Sequence, residues 1–415
     1  MGQGDQPLGN LLLQELSELS TLIRSNDSFN RLEILLTDYL VCIVSASQNG
    51  SGAISPLHGD GILGRGAWMA LQSNCGDRDD LDWSVGTHPG SVIWSTIISI
   101  CLLNEKARKN FLSSALAGYR TSASMGNFLG VDHRSKWHVT GTAGTFAAAS
   151  AASVSFEYSK EVHQRALQLA GANIGGSALA PREREGASAF NRSAATTLGI
   201  TAAMAAGAGA IAVENLWDGP YGILSTFSAS EFSLGSTLIV DGVSTTSLRL
   251  FPVTGFAQSA VLATALLATR NFDHLDELDI NLEGGATFLL DGTRGGFWWD
   301  VRAAVSAAWA SKDPTNLYPN DEFLDRISLV VAELPPGAAR ISIRTSSGND
   351  SETIYSPPGN DFNNPQETEW RQIKWRAMAG ERLSEVVEVS RALIGGEDTM
   401  ELWERVRGLV EKEDN

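Results

Sequence analysis

Two short stretches of this chain hold side chains that could move a proton. The first is Asp77-Arg78-Asp79-Asp80-Leu81-Asp82, followed closely by Thr87-His88-Pro89-Gly90. Four carboxylates in six residues cannot all be buried without compensating charge. They read in two ways. One is a solvated loop capping the helix after it, because anions favour helix N-termini. The other is a carboxylate and an imidazole gathered for proton transfer. Acidic loops also bind Mg²⁺ or Ca²⁺, but the EF-hand spacing is absent here. The second stretch is Trp137-His138-Val139-Thr140-Gly141-Thr142-Ala143-Gly144, which runs into an Ala-rich segment. A His just before a helix N-terminus lies beside free backbone N–H groups and positive dipole. That setting suits an anionic substrate, and equally a capping or packing His.

Other chemistries have less support. Gly141 and Gly144 fit neither the GxGxxG nor the Walker spacing, so they do not mark a phosphate loop. The motif Gly-x-Ser-x-Gly does not occur. Cys42 and Cys101 lie in apolar helical runs, and Cys75 adjoins the acidic loop, where negative charge raises a thiol's pKa.

These residues sit in a chain of 415 with a net charge of −17. Such a surface repels phosphate backbones and anionic lipid, which argues against nucleic-acid and membrane partners. Three widely spaced cysteines form neither a disulfide framework nor a metal knuckle, so a reducing, cytoplasmic setting is expected. Six histidines leave little room for a multi-histidine metal site. The opening MGQGDQPLGN lacks the basic and apolar regions of a secretory signal. Gln6 stands where a myristoylation motif needs Ser or Thr. Residues 194–213 are long and apolar enough to invite a membrane reading. They are built from Ala, Gly and Thr with few basic anchors, so a buried, closely packed helix is expected.

Hydrophobic spacing predicts the elements that must position the two stretches. Two helices are expected within 10–48, with a turn and N-cap at Ser25, Asn26 and Asp27. A Gly/Ser-rich loop covers 49–65. Further helices are expected near 66–73, up to 103, and over 105–126, 140–156, 160–172 and 194–213. Residues 127–139 and 173–192 read as irregular. After Asp241 the pattern changes. Segments 246–251 and 286–290 read as short strands. Residues 326–334 and 339–347 alternate apolar and polar side chains, and Leu334-Pro335-Pro336-Gly337 between them reads as a hairpin connection. Pro357, Pro358 and Gly359 mark another break, and helices return at 366–380, 381–394 and 398–412. The expected fold is mainly α. A large all-helical domain comes from both chain ends (1–242 and 369–415), and a smaller α+β domain is inserted over 243–368.

The order of these pieces resembles the MmgE/PrpD family, which includes 2-methylcitrate dehydratase, cis-aconitate decarboxylase and iminodisuccinate epimerase. Five stretches carry the resemblance: the acidic segment with THPGS (87–91), GYR (118–120), WHVTGTAGTFAAASAA (137–152), ENLWDGPYG (214–222) and PPGNDFNNPQETEWRQIKW (357–375). The resemblance implies a helical domain with a smaller α+β lid, usually as a homodimer, and activities that need no metal or organic cofactor. Carried over singly, Asp77 matches the family's loop aspartate, with Asp79 as its alternative because the spacing to His88 is one residue short. His88 matches the loop His and His138 the His of the Trp-His-Val-Thr-Gly-Thr stretch. Arg249 stands where Lys is usual. The family's Lys-x-x-His-x-Gly reads here as Ser188-Ala189-Phe190-Asn191, so the lysine becomes Ser188 and the histidine Asn191. Arg182, Arg184 or Arg192 could replace the lost cation only with a rearranged loop.

The resemblance implies chemistry at a carbon beside a carboxylate, where a base removes a proton and the enediolate is stabilised. Asp77 and His138 are expected as the acid–base pair, with His88 orienting or protonating a leaving hydroxyl. Asp79, Arg249, Ser188 and Asn191 are expected to contact substrate. One charge-assisted hydrogen bond lost at Ser188 would weaken tricarboxylate binding by about one to two orders of magnitude. A less anionic, alkylated or partly esterified hydroxy acid is therefore expected, with Phe297, Trp298 and Trp299 suiting an apolar substituent. Dehydration leads, with decarboxylation, epimerisation and a catalytically silent ligand-binding homologue as alternatives.

Overall fold

The computed structural model describes residues 8–19, 22, 24–48, 61–179, 188–227, 238–239, 241–270, 272, 275–283 and 299–411. They are mainly helical. Helices α1 (Leu8–Leu16) and α2 (Asn26–Gln48) open the chain. Ser25 Oγ accepts the Ser28 N–H at 3.0 Å, which gives α2 the cap its sequence predicts. Next come α3 (Ile62–Gln72), the two-residue strand β1 (Leu81–Asp82), α4 (Pro89–Leu103), α5 (Phe111–Lys136), α6 (Val139–Ser155), α7 (Lys160–Gly171), α8 (Ala189–Gly207) and the one-turn α9 (Ile223–Thr226).

Every residue of α6 is buried. This explains why its sequence is apolar all round rather than striped. Helices α4, α5, α7 and α8 pack around it. Small residues set their spacing: a Cβ on Gly199 of α8 would lie 2.4 Å from the Cβ of Ala148. The Ala/Gly-rich α8 is thus a packed helix. Among the described residues no helix is long and apolar enough to cross a membrane.

Three predicted boundaries were wrong. Helix α3 starts at Ile62, inside the span read as loop. Residues 127–136 are helical rather than irregular, because α5 continues through Lys136. Gly130, at φ 77, absorbs the break that the polar composition hinted at. Helix α8 begins at Ala189 and ends at Gly207, so it is shifted toward the N-terminus of the predicted span. Asn191 and Arg192 therefore lie in its first turn.

The second half holds β2 (Thr246–Ser247), α10 (Gln258–Ala268), β3 (Leu275–Leu282), α11 (Val301–Ser311), β4 (Ile327–Val331), β5 (Ala339–Thr345) and β6 (Gly348–Ile354). The last four strands form one sheet in the order β4-β3-β5-β6. The predicted hairpin between 326–334 and 339–347 does not exist. Strand β3 lies between them, parallel to β4 and antiparallel to β5. Leu334–Gly337 is thus a connection across β3, and the real hairpin joins β5 to β6. Strands β3 and β6 were missed because their acidic and polar residues lie on exposed positions. The strand predicted over 246–251 shrinks to Thr246–Ser247. The strand predicted at 286–290 lies outside the described residues. Helix α10 packs on β5, β6 and α11.

Helices α12 (Pro365–Ala379), α13 (Leu383–Ile394) and α14 (Met400–Val410) close the chain against α2. Asn364 caps α12, accepting the Gln366 N–H at 2.9 Å, and Pro365 takes the first helical position. Near the end of α12, Lys374 Nζ donates to Asp38 of α2 at 2.7 Å and to the Arg78 carbonyl at 2.9 Å. Trp375 Nε1 donates to the same Asp38 carboxylate. Lys374 and Asp38 are both 1% exposed. The C-terminal helices thereby reach the backbone of the acidic loop.

Candidate active site

Local structure turns the acidic loop inward. A short 3₁₀ turn, Cys75–Asp77, leads into it, and Asp77 adopts a left-handed φ of 53°. Strand β1 then pairs antiparallel with β2, Leu81 opposite Ser247 and Asp82 opposite Thr246. That pairing brings Arg249, two residues beyond β2, to the carboxylates. The Pro357-Pro358-Gly359 turn supports β2 from outside: the Leu248 N–H donates to the Gly359 carbonyl at 2.9 Å. Gly359 has φ 94°, and a Cβ there would lie 2.0 Å from the Leu248 carbonyl oxygen. Only glycine permits so close an approach.

The four loop carboxylates are all buried, so the solvated-cap reading fails, and each has its own compensation. Asp77 Oδ2 lies 2.5 Å from Arg249 Nη1. Asp79 takes a short contact from Arg249 Nη2, another from Arg192 Nε at 3.0 Å and a third from Asn74 Nδ2 at 2.8 Å. Burial alone would neutralise these two carboxyls. Arg249 and Arg192 outweigh it, and hold both below the ordinary carboxylate range. Burial likewise opposes the Arg249 charge, but Asp77 and Asp79 raise its pKa. Asp80 has no cation partner among the described residues. Its oxygens accept the Gly90 N–H at the start of α4 and, at 3.3 Å, the Tyr119 hydroxyl. Burial, then the neighbouring Asp79, push it up to about 8, so it is largely protonated at neutral pH. Asp82 is fixed by the Ser84 and Thr245 hydroxyls, and burial raises its pKa as well.

The two histidines occupy equivalent places, each at the N-cap of a buried helix: His88 at α4, His138 at α6. Their ring centroids are 6.4 Å apart. The His88 N–H donates to Thr140 Oγ1, which ties the two helix starts together. Burial first, then Arg192 and Arg249, depress the His88 pKa far below 6.5. Burial and Arg192 lower His138 to about 3. Both rings are therefore neutral at neutral pH.

Their hydrogen bonds assign different tautomers. His88 Nδ1 lies 2.7 Å from the Asp80 carbonyl oxygen, which can only accept, so Nδ1 carries the proton and Nε2 the lone pair. His138 Nδ1 faces the Asn191 side-chain nitrogen at 3.1 Å. That amide nitrogen also reaches the Ser177 carbonyl oxygen at 3.5 Å, which orients it as the donor. Nδ1 of His138 then accepts, and its Nε2 carries the proton. Among the described residues neither Nε2 has a protein partner.

Asp77, His88, His138, Ser188 and Arg249 line one pocket with about 790 Å³ of atom-free space, part of it continuous with solvent. Asp79 and Asn191 hold the wall from behind, Asp79 through the two guanidiniums and Asn191 through His138. All seven residues singled out from sequence thus meet at one place. Arg192 joins them from the second half of its helix turn: fully buried, it donates from Nη1 to Ser188 Oγ at 2.7 Å. The spacing of four between Ser188 and Arg192 was the available signal. Arg182 and Arg184 lie outside the described residues, as do Phe297 and Trp298. Trp299 does line the pocket, with Trp137 from the second stretch and with Trp83 and Phe256, which the sequence had not marked. Cys42 and Cys101 are buried in the helical core, and burial raises both thiols. Among the described residues no group of three His, Cys, Asp or Glu is arranged to hold a metal.

Residues 67–235 match the family model of the MmgE/PrpD N-terminal domain. That match supports membership of the MmgE/PrpD family. The matched span contains the acidic loop, both site histidines and Ser188, Asn191 and Arg192. Arg249 and the late Pro-Pro-Gly-Asn stretch lie beyond it. The family contains lyases such as dehydratases, which supports an enzyme of that general kind. No curated protein matches the chain significantly.

Proposed function

We propose that the chain is a lyase acting beside a carboxyl group, and that it dehydrates a hydroxy acid. The observation that carries this reading is the pair of facing, neutral imidazoles with opposite tautomers in one pocket. The lone pair on His88 Nε2 serves as the base. It takes a proton from the carbon next to the carboxyl group, and the C–H electron pair forms the new double bond as the neighbouring C–O bond breaks. The imidazolium so formed returns its proton to the departing hydroxide, which leaves as water. His138 stays neutral and donates from Nε2 to the oxygen on which charge develops, as a preorganised donor in a poorly solvated site. Asp77 and Arg249 orient substrate as a pair. Asp79 locks Arg249 and Arg192 in place.

Proton NMR in D₂O tests the reading with hydroxy acids, unsaturated acids and their monoesters. Deuterium incorporation or an alkene product that disappears in His88→Ala supports it. Carbon dioxide release without an alkene from a hydroxy acid replaces dehydration with decarboxylation. Undiminished turnover in His88→Ala removes the assigned base.

A further inference from the structure

The charges around the pocket determine what it can hold. Among the described residues, the charged groups lining it are Asp77, Arg249 and Arg134, with both histidines neutral. Arg249 is neutralised by Asp77 and Asp79. Arg192, just behind the wall, is neutralised by Asp79 and turns a further N–H to Ser188. The two carboxylates and two guanidiniums of the floor cancel, and Asp80 beside them is largely protonated. The floor has no positive charge left for an anionic ligand.

Arg134 is different. It is half-buried in the last turn of α5, beyond the break at Gly130, and among the described residues it makes no ion pair or hydrogen bond. Its guanidinium lies over the loop between β1 and α4: a Cβ on Gly86 would be 2.7 Å from Arg134 Nε. A cation in a last helical turn also serves the helix dipole. Lys136 does so too, but it does not line the pocket.

We propose that Arg134 is the anchor for a single substrate carboxylate, so that the pocket selects a monoanion whose other end is uncharged. The inference rests on the proposed lyase site only in taking this pocket as the substrate site. A guanidinium donates two parallel hydrogen bonds to a carboxylate. The neutral floor and the rings of Trp83, Phe256 and Trp299 receive the rest of the molecule.

The test is a binding measurement by calorimetry at low salt, so it does not depend on turnover. The probes are 2-methylmalate, its two monomethyl esters and its dimethyl ester. The proteins are wild type, Arg134→Gln and Arg134→Lys, with thermal unfolding to verify that all are folded. The expected result is that at least one monoester binds wild type more tightly than the diacid or the diester. Arg134→Gln weakens that monoester about 10- to 100-fold, Arg134→Lys recovers much of the loss, and the diester is unaffected. Equal affinity in wild type and Arg134→Gln overturns the proposal, as does a wild type that prefers the dianion or binds none of the probes. Failure of the lyase reading is separate: it would appear as normal, Arg134-dependent binding with neither exchange nor elimination.

Discussion

Asp80 shows how a single residue's environment sets its chemistry. Four aspartates lie within six positions, yet their states diverge because Arg249 and Arg192 reach only Asp77 and Asp79. The folded pKa of Asp80 is raised from 3.8 to about 8. The stability of its neutral form is present in full below the ordinary value and is lost as pH rises through about 8. Asp80→Asn abolishes that loss. The variant is expected to gain on wild type in thermal unfolding as pH rises from 6 to 9, and an unchanged difference would contradict the assignment. Gly90 belongs to the same account, since a Cβ there would lie 2.5 Å from Asp80 Oδ2. At His138 the decisive partner is Asn191. Asn191→Asp replaces a donor by an acceptor, which moves the His138 proton to Nδ1. We expect kcat on the responding substrate to fall at least about 100-fold with KM changed less, in the range that misplacing a catalytic proton costs.

At the scale of elements, the late Pro-Pro-Gly-Asn to Lys374 stretch acts at a distance. It lies far from the acidic loop in sequence, but Lys374 holds the Arg78 carbonyl and Gly359 holds Leu248. Removing one partner of a buried ion pair strands the other charge at a cost of about 3–5 kcal/mol. Lys374→Met is expected to lose stability of that order in denaturant unfolding, with the midpoint restored by adding Asp38→Leu. This scale also shows what was legible in sequence. Helices whose apolar residues follow a regular period were found, α2, α13 and α14 among them. Both histidines were placed correctly ahead of α4 and α6. The β4–β3–β5 arrangement was not legible, because alternation marks a strand but does not name its neighbour. Strand β3 hides its apolar half behind three acidic residues. Arg192 was one of three arginines the sequence offered as the missing cation, but its pairing was not legible because Asp79 lies more than a hundred residues away.

Among the described residues, the histidines lie at or near full burial. All four among the described residues, His88, His133, His138 and His163, have pKa values held below 6.5 by burial, with His133 and His163 at about 4 and His138 at about 3. Each contributes stability that is present above its ordinary value and is lost as pH falls toward its folded value. Within that window each pH unit removes about 1.4 kcal/mol per responding imidazole. Asp80, Asp82 and Glu367, whose carboxyls burial raises, oppose this trend, but they are fewer. The melting temperature is therefore expected to fall steadily between pH 6.5 and 4.5, and a flat profile would contradict the buried neutral state. On the outer face of α8, Phe190, Leu198 and Met204 are exposed, as is Ile211 just beyond it. We propose this stripe as a homodimer contact. Light scattering is expected to give twice the chain mass, reduced to the chain mass in a Leu198→Glu, Met204→Glu double variant.

The proposed chemistry depends most on the two imidazoles being neutral in opposite tautomers. Two-dimensional ¹H–¹⁵N correlation of the histidine side chains at pH 7.5 reads this directly, with His88→Gln and His138→Gln assigning the signals. The expected result is a protonated Nδ1 with a bare Nε2 for His88, and the reverse for His138. The same tautomer on both rings, or a charged imidazolium on either, would contradict it.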